Sequence, residues 1–348
     1  MVYLGCDQHK HYCVMTKLDT DSKELETNKF YHNSPEVLKE YLGQLPSGTG
    51  VAIEACGYEA WLCDLMESCG MNVHLGHPLK TKAIAEAKIK TDKIDSTILA
   101  QLLAADLLPE AYLPPEPIRQ KRALLRYRQC LVQWQTQTKN RIHFLLDRLG
   151  IRPPELTDLF GVDGRRWLKE LSLKGNYQRI LEGNLEIIDF VQAKIKILTK
   201  EIEVQLAEDT RAELLESVPG IGKLSAFLLL AEMGPIDRFP SSEHLCSYAG
   251  LVPSIYQSGK KLYHGSITKQ GNKFIRWIMV EAAQRSIRKD EFLRNFYIRL
   301  KTKKGHSVAI VAVARKLLVS IFYVLQKNQK YRFRSVTVRR SSVTPCSV

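Results

Sequence analysis

The chain has no C-x-x-C pair. Its eight cysteines, Cys6, Cys13, Cys56, Cys63, Cys69, Cys130, Cys246 and Cys346, are scattered and read as reduced, mostly buried thiols of a cytosolic protein. The run Cys6-Asp7-Gln8-His9-Lys10-His11-Tyr12-Cys13 invites a zinc reading. Alternate side chains of a strand point to opposite faces, however, so its thiols and imidazoles do not all converge without a loop. Also missing is a basic start followed by an apolar run, the pattern of a signal peptide. No membrane span is expected either: the most apolar late stretch, Val308 to Leu325, is interrupted by Arg315 and Lys316 and reads as a buried helix with one wet face. No internal repeat is evident. Acids are in deficit, with 37 Asp plus Glu against 51 Lys plus Arg, a formal charge of +14. That excess favours nucleic acid over an acidic small molecule as partner and says nothing of sequence specificity.

What is present suffices for two or three domains with real cores: 348 residues, 45% of them hydrophobic. Residues 1–108 alternate strand and helix signals. Val2–Cys6, Tyr12–Leu18, Lys29–His32, Val51–Ile53 and Asn72–Leu75 read as strands. Pro35–Leu45 and Tyr58–Ser68 read as helices, and Ile84–Leu108 as largely helical. The pattern predicts a mixed sheet with covering helices. A proline-rich linker opens residues 109–210. Two long helical patterns follow. Ile118–Leu149 is basic, and Tyr177–Leu206 carries Leu181, Leu185, Ile188, Val191, Ile195, Leu198, Ile202 and Leu206 at near-heptad steps, a coiled-coil seam. An antiparallel helical hairpin fits, serving either as an internal spacer or as an oligomerisation arm. Residues 211–326 form a further, mainly helical module, and 327–348 a basic, Ser/Thr-rich tail that reads as disordered.

The most informative segment is Lys90-Thr91-Asp92-Lys93-Ile94-Asp95, which puts two carboxylates on one face of a helix. Asp7 and Glu54 stand where strands end. Acids at two strand ends and on a late helix make a workable cage for divalent metals, and in a basic protein this suggests phosphodiester chemistry. Turn residues plus a solvated helix face are the competing reading. In the rear module, Val218-Pro219-Gly220-Ile221-Gly222-Lys223 precedes an apolar helix, Leu224–Met233. Such a turn exposes backbone N–H groups to a DNA phosphate, as helix-hairpin-helix elements do, or is simply a tight corner. Beyond it, Tyr248 to Asn272 has the glycine and serine density of a site, flanked by Lys260, Lys261, Lys269, Lys273 and Arg276, and an amphipathic helix follows from Lys273. Taken singly, each of those cations reads as a solvated surface charge ahead of a specific contact. Tyr127 and Trp134 read as hydrophobic seam residues ahead of base-stacking ones.

With Asp7 and Lys10, Glu54-Ala55-Cys56-Gly57-Tyr58, His77-Pro78, Lys90 to Asp95, Val218 to Gly222, Ala249-Gly250-Leu251-Val252-Pro253, Gln257-Ser258-Gly259 and Thr268-Lys269-Gln270-Gly271-Asn272 in this order, the chain resembles the DEDD-class insertion-sequence transposases, the bridge-RNA-guided recombinases to which the pilin-gene-inverting recombinases are related. The resemblance implies an α/β RuvC-like (ribonuclease-H-like) N-terminal domain, a helical coiled-coil middle and a mainly α C-terminal transposase domain. It implies that Asp7, Glu54, Asp92 and Asp95 hold Mg²⁺, with Mn²⁺ as a substitute, and that Ser258 is a nucleophile forming a phosphoserine link to DNA. It further implies a composite site in which the acids of one protomer work with the serine of another, a homo-oligomer, donor and target DNA as substrates, and a non-coding bridge RNA. Ser96 stands where the family commonly has alanine, and Cys56 where a small or hydroxyl residue is usual. Neither removes a metal ligand. No histidine marks the base for Ser258, which without the resemblance reads as a turn serine. The competing function is a metal-dependent, Holliday-junction-type nuclease whose rear domain only binds DNA. A third is a non-catalytic nucleic-acid-binding scaffold.

Overall fold

The computed structural model describes residues 1–85, 91–207, 209–258 and 261–333. The chain divides into two compact units, one of Met1–Pro114 and one beginning at Pro115.

The first unit is a five-stranded mixed sheet. Its strands are β1 (Val2–Gln8), β2 (Tyr12–Asp19), β3 (Leu25–Tyr31), β4 (Gly50–Glu54) and β5 (Asn72–Gly76), in the order β3-β2-β1-β4-β5. β1 runs antiparallel to β2 and parallel to β4, and β4 is parallel to β5. Strand alternation divides the side chains between two faces. Leu4, Cys6, Cys13, Met15, Val51, Ile53 and Leu75 pack with Leu38 and Leu42 of helix α1 (Pro35–Gly43) and with Leu62, Cys63 and Met66 of α2 (Ala60–Ser68). The other face takes a later helix. Of the stretch Ile84–Leu108, expected to be largely helical, α4 (Asp92–Ala104) is the helix, and a short α3 (Pro78–Ile84) precedes it. Residues 86–90, which include Lys90, lie outside the described residues. α4 starts where it does because Thr91, in extended conformation, accepts a hydrogen bond from the Ile94 N–H, and Asp92 and Asp95 suit the positive end of the helix.

Gly5 decides how close α4 comes. A Cβ at that position would stand 1.8 Å from the Ser96 carbonyl oxygen and 2.5 Å from the Ala100 nitrogen. The helix backbone therefore lies directly on β1. The buried Ser96 hydroxyl bonds to Thr16 Oγ1 at 2.7 Å and adds a contact to β2. The proline-rich stretch is held in place rather than free: the Ala111 N–H donates to the Leu75 carbonyl and the His77 N–H to that of Pro109.

The second unit begins with an antiparallel pair, α5 (Glu116–Arg148) and α7 (Asn176–Gln205), with α6 (Val162–Glu170) between them. At 1.5 Å per residue α5 is about 50 Å long. Of the heptad seam, Leu181, Leu185, Ile188, Val191, Ile202 and Leu206 are buried, and at the far end they pack with Ile142, Leu145 and Leu146 of α5. The seam thus serves contacts within the chain. Tyr127 and Trp134 are each 51% exposed, which corrects their reading as seam residues.

The helices α8 (Thr210–Glu216) and α9 (Lys223–Met233) flank the Pro219-Gly220-Ile221-Gly222 turn. After α10 (Ser242–Tyr248), the glycine- and serine-rich stretch proves to be an antiparallel hairpin, β6 (Pro253–Ser258) and β7 (Lys261–Ile267). It is followed by α11 (Lys273–Lys289) and α12 (Glu291–Gln326). α12 bends at Gly305, whose φ is 80°. Its second half is apolar enough to cross a membrane by length and composition, yet Ala309, Ile310, Val313, Ala314, Leu317, Leu318, Ile321 and Phe322 are buried. It is the central helix of this unit's core, packed on α8, α10 and α11. Of the basic tail, residues 334–348 lie outside the described residues.

Candidate functional site

The register brings the acids of the first unit together. Cys6 pairs with Ile53 and Cys13 with Phe30, all facing the apolar core. The next residues on the parallel strands, Asp7 and Glu54, therefore face the side covered by α4. There the first turn of the helix carries Asp92 and Asp95. The electrostatics reflect the convergence: burial lifts the Asp7 carboxyl above its ordinary value, His9 opposes the rise, and Asp95, Asp92 and Glu54 each push it further up. Asp92 is desolvated in part, but the hydrogen bond from Tyr12 and the proximity of His9 outweigh this and hold its carboxyl below the usual range.

His9 and Tyr12 join the acids at the turn between β1 and β2. The His9 N–H donates to the Tyr12 carbonyl at 2.8 Å and closes the turn. The two rings lie 4.7 Å apart, and Lys29 Nζ sits 3.5 Å over the tyrosine ring. The Tyr12 hydroxyl donates to Asp92 Oδ2 at 3.0 Å. His9 Nε2 stands 3.2 Å from Asp7 Oδ2 and 3.3 Å from Asp92 Oδ2, but it is sealed from solvent and hydrogen-bonded to neither. Donor atoms sharing one cation at about 2.1 Å in octahedral geometry stand about 3 Å apart. His9 Nε2 has that spacing to both carboxylate oxygens, and the three donor atoms lie within 4.8 Å of one another, so the donor set fits a divalent cation. His9 had been set aside with the zinc motif. The signal that finds it is the hairpin itself, since a two-strand turn after Asp7 returns His9 and Tyr12 to the acid face. Cys6 and Cys13 face the apolar core, where the hydrogen bond to Cys13 and burial raise the Cys6 thiol.

Cys56 is exposed at the end of β4 beside Glu59, whose carboxylate accepts from the Cys56 and Gly57 N–H groups. It thus sits in a capped turn next to Glu54.

In the second unit the predicted residues fall into two groups. Gly220 (φ 91°) is the corner of the α8–α9 turn, where a Cβ would meet the Ala282 carbonyl at 2.4 Å. Gly222, with open space about it, precedes α9, whose first turn has no side-chain cap, and Lys223 is exposed beside it. A corner and an open helix N-terminus thus coexist in one turn. Ser258 ends β6 opposite Lys261, at the tip of the hairpin. Lys260 lies outside the described residues. Lys269 (φ 55°) and the exposed Lys273 follow the hairpin. Arg276 donates to the Ala249 carbonyl at 2.9 Å and braces the Ala249–Gly250 corner.

At the centre of this unit Glu232 is fully buried. Arg126 of α5 bonds both its oxygens, at 2.6 and 2.7 Å, and Asn272 Nδ2 donates to Oε2 at 2.7 Å. Arg122 donates to the Ala231 and Glu232 carbonyls. The Asn272 Oδ1 meanwhile caps α11 by accepting from the Phe274 and Ile275 N–H groups. In the sequence Arg122 and Arg126 are two of the cations of the basic helix Ile118–Leu149. They turn inward to a partner 106 to 110 positions away, a pairing that local patterns do not carry.

Comparison with known proteins agrees with this layout. Residues 4–151 match the DEDD family described as a transposase, and residues 212–298 match the transposase IS116/IS110/IS902 family. A probable family 20 transposase of Pseudomonas aeruginosa is 25% identical over 344 residues, covering 94% of each chain. A transposase for insertion sequence element IS1111A of Coxiella burnetii is 26% identical, covering 78% of this chain and 79% of that protein. A pilin gene-inverting protein of Moraxella bovis is 36% identical over 124 residues, 35% of this chain and 38% of that one. The protein is therefore an enzyme of the DNA transposase and recombinase class. Within that class it belongs to the IS110/IS116 family and carries the DEDD domain of that family at its front.

Proposed function

We propose that this transposase cuts and rejoins DNA strands with two sets of residues: Asp7, Glu54, Asp92 and Asp95, which hold divalent cations, and Ser258, which carries the strand. The observation that supports this most is the convergence of the four acids at the ends of β1 and β4 and on the first turn of α4. Acids at those two strand ends, in the sheet order β3-β2-β1-β4-β5, also favour a RuvC-like reading of the first unit. When bound, Mg²⁺ or Mn²⁺ would supply Lewis-acid stabilisation of the charge that develops on a phosphate under attack. The chain's part is to place the carboxylates, by the Gly5 contact and the Thr91 cap, and to leave them partly open to a DNA backbone.

At Ser258 the Oγ–P bond forms as the ester bond from phosphorus to one strand end breaks. The serine proton is given up and the departing strand oxygen takes one. Reversal by another strand's hydroxyl restores the serine, and because ester is exchanged for ester no ATP is needed. The hairpin tip favours this role by putting Ser258 beside Lys261 and near Lys269 and Lys273 in sequence. Gly220, Gly222 and Lys223 offer a phosphate contact at the start of α9. Donor and target DNA are the substrates. We further infer a homo-oligomer and a structured guide RNA, which the formal charge of +14 accommodates and the resemblance to RNA-guided recombinases suggests.

The test is a cleavage reaction on DNA carrying the element's ends, read on denaturing gels with and without protease. The wild type is expected to give a protease-sensitive protein–DNA adduct. Ser258→Ala is expected to lose both adduct and strand exchange, and Asp95→Asn to lose cleavage. Undiminished cleavage by Ser258→Ala would shift the reading to a metal-dependent, Holliday-junction-type nuclease.

A further inference from the structure

We infer that His9 is a nitrogen ligand of the acidic metal centre and gives it a preference for Mn²⁺ over Mg²⁺. The inference rests on the metal-centre reading above and adds to it a donor outside the four acids.

The first observation is the state of Nε2. It is sealed from solvent and lies 3.2 and 3.3 Å from two carboxylate oxygens, yet its geometry aligns a hydrogen bond with neither. An imidazole whose task was to neutralise Asp7 or Asp92 would direct its N–H at one of those oxygens and gain a charge-assisted hydrogen bond. An imidazole nitrogen crowded against two carboxylate oxygens, the three donor atoms all within 4.8 Å of one another, is instead the arrangement expected around a cation.

The second observation is that the ring is held. The backbone turn fixes His9 to Tyr12, the tyrosine ring lies against the imidazole, Lys29 covers that ring, and its hydroxyl holds Asp92. One support therefore orients two of the donors, as outer-shell partners do at metal sites. The third point is chemical. Mg²⁺ favours all-oxygen surroundings, whereas imidazole suits first-row transition metals. An all-carboxylate cage discriminates little in favour of Mn²⁺. A cage with one imidazole does.

Mn²⁺ itself is the probe. The full chain is titrated with Mn²⁺ while free ion is followed by electron paramagnetic resonance. The bound ion is then examined by electron spin echo envelope modulation for ¹⁴N coupling, and Mg²⁺ affinity is obtained by competition. The wild type is expected to show histidine ¹⁴N modulation. His9→Gln is expected to lose the modulation and about tenfold in Mn²⁺ affinity, with Mg²⁺ affinity changed by much less. Bound Mn²⁺ without ¹⁴N coupling in the wild type, which needs no variant, overturns the role of His9 and leaves the acid centre standing. So does a His9→Gln protein that loses Mn²⁺ and Mg²⁺ equally. If the wild type binds no Mn²⁺, the metal centre fails along with it.

Discussion

Glu232 in the rear unit and Asp7 in the front unit are both carboxylates withdrawn from water, but the chain treats them differently. Glu232 has no exposed surface and is met by the Arg126 fork and the Asn272 amide, so that both oxygens are satisfied from within the protein. The Asp7 side chain, 15% exposed, is crowded by Asp95, Asp92 and Glu54, with one imidazole near it whose Nε2 is aligned for a hydrogen bond with neither Asp7 nor Asp92. Like charges gathered in a partly desolvated place raise the energy of the folded state unless something from outside neutralises them. The comparison separates two uses of one residue type. A carboxylate completed by its own chain ties elements together, here α5, α9 and the start of α11. A set of carboxylates left incomplete is, on the proposed function, where a cation would bind.

That contrast breaks most readily by substitution at its two poles. Asp7→Asn is expected to lower strand cleavage by about 10³-fold, or ~4 kcal/mol of barrier. In metal-free buffer the same variant should melt at the wild-type temperature or above it, because one charge leaves a crowded cluster. Glu232→Ala should do the reverse. It leaves Arg126 and Arg122 facing an empty buried position and is expected to cost about 3–5 kcal/mol in a urea titration. A destabilised Asp7→Asn, or a Glu232→Ala protein of unchanged stability, would erase the distinction.

How much of this was legible in the sequence differs between the poles for a physical reason. Asp7, Glu54, Asp92 and Asp95 stand at element ends, and strand ends, caps and helix starts leave local marks: Thr91 before Asp92, and Gly50 to Ile53 before Glu54. The strands of the first unit and both long helices were likewise readable from period. His9 was seen and set aside, because a strand period alone separates it from Asp7, while the two-strand turn brings it back. The β6–β7 stretch reads as a site from its glycines and serines but carries no clear strand period, and its pairing from Pro253–Ile267 to Ser258–Lys261 is a tertiary fact. Glu232 stands near the end of the apolar helix Leu224–Met233 without a local mark of its own. Nothing within four residues of it announces Arg126 or Asn272.

The geometry of the acid pole depends on a close approach, which can be loosened without touching a ligand. Gly5→Ala puts a methyl group 1.8 Å from the Ser96 carbonyl oxygen, so α4 must move off β1, taking Asp92 and Asp95 with it. A stability loss of about 1–3 kcal/mol is expected, with cleavage falling further than the unfolded fraction explains. Gly43→Ala is the control. Its Cβ would meet nothing within 4 Å, and at the end of α1 it is expected to be neutral or to stabilise by up to about 1 kcal/mol. Equal effects of the two on cleavage would show that helix placement does not govern the acids.

The smallest effect is expected at Ser96, on the same contact. Its hydroxyl is buried and shared between Thr16 Oγ1, at 2.7 Å, and the Lys93 carbonyl, at 3.1 Å. Ser96→Ala removes that hydroxyl but orphans no partner. Thr16 keeps Thr27 Oγ1 at 3.1 Å, and the Lys93 carbonyl keeps the Thr97 hydroxyl at 2.7 Å. With no buried group left unpaired, the cost is one net hydrogen bond, about 0.5–1 kcal/mol. Cleavage and Mn²⁺ binding are expected to stay at wild-type levels, since the backbone approach at Gly5, rather than this hydroxyl, sets where α4 lies. A Ser96→Ala variant with intact stability but impaired metal binding would place the hydroxyl among the determinants of the acid centre and move it from the structural side of the comparison to the functional one.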